Sequence, residues 1–489
     1  MRFGREIDRL LFGLLLAFVF VGAAAAYWAI SGADTILERA DNPRRVETEN
    51  AIRRGAIYAE GGIALAESVV NPDESVTRRY LYPVLSSALG YASLRYGVGG
   101  VEALHDNDLS GRTRAAARDL GETVIDGLLH RPQVGADVQL TLDLGVQTAL
   151  ATALHGQTGA AVVLGVPTSS LMAMVSLPTF DPNTLDADWD ALSIDPGRPF
   201  FNRALQARYQ PGATTETLLM AGALLTNEPL DTPIADASSP ISLDDLTLTC
   251  AVPPPETRLT LRDAYAFGCP APFADLARRL DVGRVQGIFD TFRLADAATL
   301  PGFDALTLPT VLGIDPFAAA TPEAQPNSDG AITADNLLNA ALGQGERTVT
   351  PLEMALIAAG IVNDGNAPQP YLLSGVRYPT ELEWSAAALI NPTIPIATAG
   401  TARGIQDLMR GAVAYGAASS AARPDLDIGG HVGLAYTGDS TLAWFVGFVT
   451  IDTERAAVVA VVLENSGDLG LAADIGGTAL EAAWRALQS

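Results

Sequence analysis

The chain has 489 residues, 48% of them hydrophobic and 18% charged, which is the composition of a folded protein with more than one core. The formal net charge is −25, which excludes a nucleic-acid-binding role and docking on anionic lipid through a basic patch. All 31 basic side chains are arginine and none is lysine, so any mechanism that needs a lysine base or a Schiff-base amine is closed to the chain.

In chain order, residues 1–9 carry Arg2, Arg5 and Arg9 and predict a short cytoplasmic tail. Residues 10–30 are uncharged and mostly apolar, long enough for one bilayer crossing of about 30 Å. The positive flank stays inside, so the expectation is a single-pass anchor in the cell membrane with the bulk of the chain extracytoplasmic. A cleavable signal peptide, cut near Ala23 to Ala26, is the alternative.

Residues 31–134 predict a small module of short strands and glycine turns. From 135 to 489 the pattern is α/β. Val138 to Asp143 alternates as a strand, 144–154 reads as a helix, and 159–164 with 171–176 reads as a strand pair. Residues 227–255 form a surface excursion with a strand-like island near Leu246, 260–280 reads as helical, and 313–330 is loop-rich. Two cysteines, Cys250 and Cys269, lie close enough for a disulfide if the domain is outside the cytoplasm; their geometry is left open. The four histidines, His105, His130, His155 and His431, have no metal-ligand spacing, so neither a metal nor a cofactor is expected.

The pivotal stretch is Tyr209-Gln210-Pro211-Gly212-Ala213-Thr214-Thr215-Glu216, a Pro-Gly turn feeding an apolar run from Leu218 to Leu225. Further signals are Asp181-Pro182-Asn183, the run Gly343-Gln344-Gly345 to Pro351, Asn363-Asp364-Gly365, and Trp444 to Phe448. Together and in this order they resemble the class B penicillin-binding proteins, transpeptidases of the short-pedestal group typified by actinobacterial penicillin-binding protein A. Arg54-Gly55-Ala56-Ile57-Tyr58 and Gly99-Gly100-Val101-Glu102 resemble the pedestal of that group. The resemblance implies a β-lactamase-like transpeptidase domain, an antiparallel sheet flanked by helices with a helical subdomain, on a small N-terminal module.

It also implies three catalytic motifs, and each is degenerate here. In the family a Ser-x-x-Lys pair opens the buried helix, and the lysine, one turn on, activates the serine. These positions hold Ala213 and Glu216. A Ser-x-Asn triplet falls on Gly268-Cys269-Pro270, which offers neither hydroxyl nor side-chain amide. A Lys-Thr-Gly triplet falls on Tyr436-Thr437-Gly438, followed by Asp439, which puts negative charge where the family binds a carboxylate.

The expectation is a pseudoenzyme, a scaffold or regulator in peptidoglycan synthesis whose partner is a polytopic glycosyltransferase or another cell-wall protein. One alternative is an active D,D-transpeptidase or carboxypeptidase working through non-standard residues such as Thr214 or Thr215. Another is a non-catalytic module that binds peptidoglycan stem peptides.

Overall fold

The computed structural model describes residues 3–27, 52–73, 75–117, 133–256, 258–294, 331–387, 392–438 and 440–488. Helix α1 (Phe3–Tyr27) stands apart from the fold, with Leu10, Phe12, Phe18 and Phe20 all exposed. Among the described residues no helix is long and apolar enough to cross a membrane. Residues 28–30, which complete the expected crossing, lie outside the described residues, as do 31–51 and the loop-rich stretch 313–330.

The N-terminal module is built on β1 (Ile57–Tyr58), β2 (Ala64–Val70) and β3 (Val76–Tyr80), an antiparallel series. Strand β4 (Asp137–Leu140) was expected on the transpeptidase side of a boundary at 134, but it pairs in parallel with β1. Two strands from far along the chain, Leu373–Arg377 and Ser385–Ala386, continue the same sheet beyond β4. Arg377 fastens them, with its guanidinium 2.7 Å from Asp137 and over the rings of Tyr58 and Trp384. Beneath the sheet, fully buried Glu102 accepts from Arg54 at 2.8 Å and Arg78 at 2.6 Å. Burial pushes its carboxyl up, yet the two guanidiniums outweigh that and hold it below the usual range.

Asp143 caps α2 (Leu144–Ala153) by accepting from Val146 N–H. The main sheet follows, with β5 (Gly159–Val166) and β6 (Ser170–Leu177) forming its first hairpin. Just after it, the Asn183 side chain accepts from Tyr80 N–H at 2.9 Å and donates to Tyr80 C=O at 3.0 Å. It thereby replaces a missing strand along β3 and ties the module to the larger domain.

The helical part comprises α3 (Glu216–Leu225), α4 (Leu261–Phe267) and α5 (Pro270–Thr291). The expected helix over 260–280 is broken in two, because Gly268 ends α4 in the left-handed region and Pro270 starts α5. The island near Leu246 is a hairpin, Ile241–Leu243 against Leu246–Leu248. Thr350 and Glu353 close a capping box on α6 (Pro351–Val362), and α7 (Ala399–Tyr415) follows.

The sheet is completed by β7 (Asp427–Thr437), β8 (Ser440–Thr450) and β9 (Ala456–Glu464), in the order β7-β8-β9-β5-β6, antiparallel throughout. Every residue of β5 is buried, and in β9 only the terminal Glu464 is not. Helix α8 (Leu469–Gln488), packed on α2, covers β8 and β9 on one face, and α6 covers β9 and β5 on the other. This explains the unbroken apolar runs in place of alternation. Strand β7 is left at the edge, where its backbone groups need other partners.

Candidate functional site

The turn that carries the first motif is fixed from three sides. Tyr209 pairs with Val349 through both backbone groups, Gly212 N–H donates to Gly343 C=O at 2.9 Å, and Trp444 Nε1 donates to Gln210 C=O at 2.9 Å. Gly212 has φ +57°, and a Cβ there would lie 2.4 Å from Leu434 O, so only glycine lets the turn sit on β7. One 3₁₀ turn, Gly212–Thr215, then leads into α3.

On that frame Ala213, where the serine was expected, presents a half-buried methyl group. The neighbouring hydroxyls are used up: buried Thr214 donates to Pro211 C=O at 2.6 Å, and buried Thr215 donates to Ala341 C=O at 2.7 Å. Both threonines therefore serve the turn, and neither hydroxyl has a base beside it.

Glu216, where the lysine was expected, is 1% exposed and its Oε2 lies 3.4 Å from Nε2 of His431, which is equally buried in β7. No other described residue offers a hydrogen bond to either carboxyl oxygen or either ring nitrogen. Burial pushes the Glu216 carboxyl up, and His431 offsets this only in part. Tyr265 of α4 lies flat on the imidazole, with centroids 4.1 Å apart, and its hydroxyl is 2.9 Å from Thr217 Oγ1. The helix α3, the helix α4 and the strand β7 thus meet through Glu216, Tyr265 and His431.

Where the second motif was expected, the structure has tightly packed backbone and a disulfide. Gly268 is buried at φ +60°, and a Cβ there would sit 2.8 Å from Ala251 Cβ. Ala251 is held in place by its own N–H donating to Gly268 C=O at 3.0 Å and by the adjacent Cys250–Cys269 disulfide. Pro270 is buried as the first residue of α5. No side chain of the triplet can reach a substrate as donor.

Tyr436 is half-buried near the end of β7, while Thr437 and Gly438 are exposed; Asp439 lies outside the described residues. The Thr437 hydroxyl donates to Gln210 Oε1 at 3.1 Å. Gln344 lies along the strand edge, its Nε2 donating to Leu434 C=O at 2.9 Å and its Oε1 accepting from Tyr436 N–H at 3.0 Å. A side-chain amide thereby supplies what the next strand would supply.

Sequence reasoning named Gln210 and Gln344 as parts of their runs without foreseeing their hydrogen bonds to β7, and it did not foresee that Glu216 meets Tyr265 and His431. A lone histidine within the apolar strand run before Tyr436 was the one available signal for the last. Among the described residues no three His, Cys, Asp or Glu side chains converge to hold a metal.

With turn, helix pair and edge strand in this arrangement, the chain belongs to the penicillin-binding protein transpeptidase domain family, whose model matches residues 159–481. The model of the penicillin-binding protein A dimerisation domain matches residues 54–138. The peptidoglycan D,D-transpeptidase PbpA of Mycolicibacterium smegmatis is 28% identical over 98% of this chain and 99% of its own length. PbpA of Mycobacterium tuberculosis is 29% identical over 91% and 92%. Penicillin-binding protein A from M. tuberculosis, solved as an imipenem acyl-enzyme complex, superposes with a TM-score of 0.74 at 27% identity, covering 89% of this chain and 99% of that one.

Proposed function

We propose that this protein acts in peptidoglycan synthesis as a catalytically silent penicillin-binding protein, a scaffold or regulator held at the membrane by its N-terminal helix. The carrying observation is the pairing of an Ala213 methyl with a buried Glu216 carboxyl where acyl transfer needs a hydroxyl and a base. In a serine hydrolase, loss of the nucleophile alone costs about 10⁶ in turnover. Gly268 and Pro270 remove the supporting donors as well. The N-terminal module and its sheet do not depend on the groove, and they are the surfaces suited to a polytopic glycosyltransferase partner.

The names of the mycobacterial relatives favour a second reading, an active D,D-transpeptidase. The hydroxyls of Thr214 and Thr215 are already engaged by backbone carbonyls, which weighs against it. The exposed Thr437–Gly438 edge supports non-covalent stem-peptide binding as a subsidiary role. Incubation of the purified protein with a labelled β-lactam, read by intact mass, should show no adduct. A stoichiometric mass increase would establish the active reading instead, and heat released on titrating a pentapeptide without an adduct would mark the binding role.

A further inference from the structure

The buried pair of Glu216 and His431 is isolated from other polar groups among the described residues. Glu216 and His431 are each 1% exposed, their near atoms are 3.4 Å apart, and neither has another hydrogen-bond partner among the described residues. An ionised carboxylate beside a neutral imidazole would leave one uncompensated charge in an apolar interior, which is strongly unfavourable. A carboxylate facing an imidazolium, or a carboxylic acid facing a neutral imidazole, carries no net charge. Both of those states contain one proton more than the first.

We propose that Glu216 and His431 hold a single buried proton between them, and that this proton fastens α3 to β7, so that its release on raising the pH loosens their junction.

The surrounding groups leave the pair to itself: on α8, which packs against β7, Asp474 and Glu481 pair with Arg423 and Glu481 also with Arg485. On α4 the facing titratable group is Tyr265, whose hydroxyl burial pushes well above its ordinary range and which is engaged with Thr217. The turn Gly212–Thr215 and the strand β8 contribute no titratable side chain. On α7, Arg403 and Arg410 pair outward with Asp364 and Asp427. On α5, Arg278 and Arg279 pair with Asp275 and Glu228. The raised Glu216 carboxyl agrees with a retained proton.

The sign follows from linkage. Above neutrality an unfolded glutamate and histidine have both lost their protons, while the folded pair keeps one. Stability is then lost as pH rises, by up to about tenfold in the unfolding constant per pH unit until the pair releases its proton.

The test is denaturant unfolding of the full chain in detergent between about pH 6 and pH 9, for wild type and Glu216→Gln. The ratio of the wild-type to the variant unfolding constant should climb with pH, approaching tenfold per unit. A ratio independent of pH, or one that climbs as pH falls, overturns the proposal. Should the variant not fold, wild type labelled with ¹⁵N at its four histidines decides, together with the infrared band of a protonated carboxyl. An imidazolium at His431 or a protonated Glu216 at neutral pH supports the shared proton, and a neutral imidazole beside an ionised carboxylate refutes it.

Discussion

A serine placed at Gly268, where the second motif was expected, should destabilise the fold. A serine there must adopt φ +60°, which costs about 1–2 kcal/mol for a side chain with a Cβ. Its Cβ would also press on Ala251 Cβ at 2.8 Å, and Ala251 cannot retreat while Cys250 is bridged to Cys269. Overpacking of that kind costs a further ~1–3 kcal/mol. Gly268→Ser should therefore lose roughly 2–5 kcal/mol in urea unfolding, a large part of the stability of an ordinary domain. Combining it with Ala251→Gly should return the steric share and leave the backbone share, so the two substitutions are expected to be non-additive by about 1–3 kcal/mol. If Gly268→Ser unfolds like wild type, or if the double variant gives a simple sum, the account of a filled second motif is wrong.

Two further outcomes are specific enough to measure. Glu102→Ala should cost about 3–5 kcal/mol, because it leaves the buried Arg78 charged without a carboxylate and leaves Arg54 with Asp106 alone. Since the Glu102 carboxyl is held low, its stabilising share is present above the ordinary glutamate range and is lost as pH falls through the folded value; acid unfolding curves of the two proteins should converge there. Gln344→Ala should cost about 1–3 kcal/mol by stranding Leu434 C=O and Tyr436 N–H, and it should speed amide exchange at Tyr436 while leaving that of the interior strand β9 unchanged.

Much of the framework was legible in the residues. The strands over 159–164 and 171–176, the helix after Asp143 and the island at Leu246 all fall where periodicity and turn residues put them. What was not legible is partnership. The alternation in Val138 to Asp143 announces a strand but carries no record of which sheet it joins, and β4 lies with β1. Helical character over 260–280 masked a break that needed the left-handed Gly268 and Pro270 read together. At the candidate site the letters gave Ala213 and Glu216 where the resemblance implies a serine and a lysine. The fate of Glu216 was not legible, because its partner His431 belongs to a strand far along the chain. The hallmarks Asn183 and Gln344 were recognisable for a reason the structure supplies: each replaces backbone hydrogen bonds at a strand edge.

The sheet shared by the two ends of the chain has a bearing on biogenesis. Strand β4 leaves the ribosome early, yet the neighbours that cover its outer side, Leu373–Arg377 and Ser385–Ala386, are made only after most of the polypeptide has been synthesised. Until then the nascent module carries an open, pairing-competent flank, the kind of surface chaperones shield and aggregation exploits. A polypeptide cut short before residue 373 would keep that flank permanently, so a recombinant N-terminal fragment should be made with those two strands or not at all.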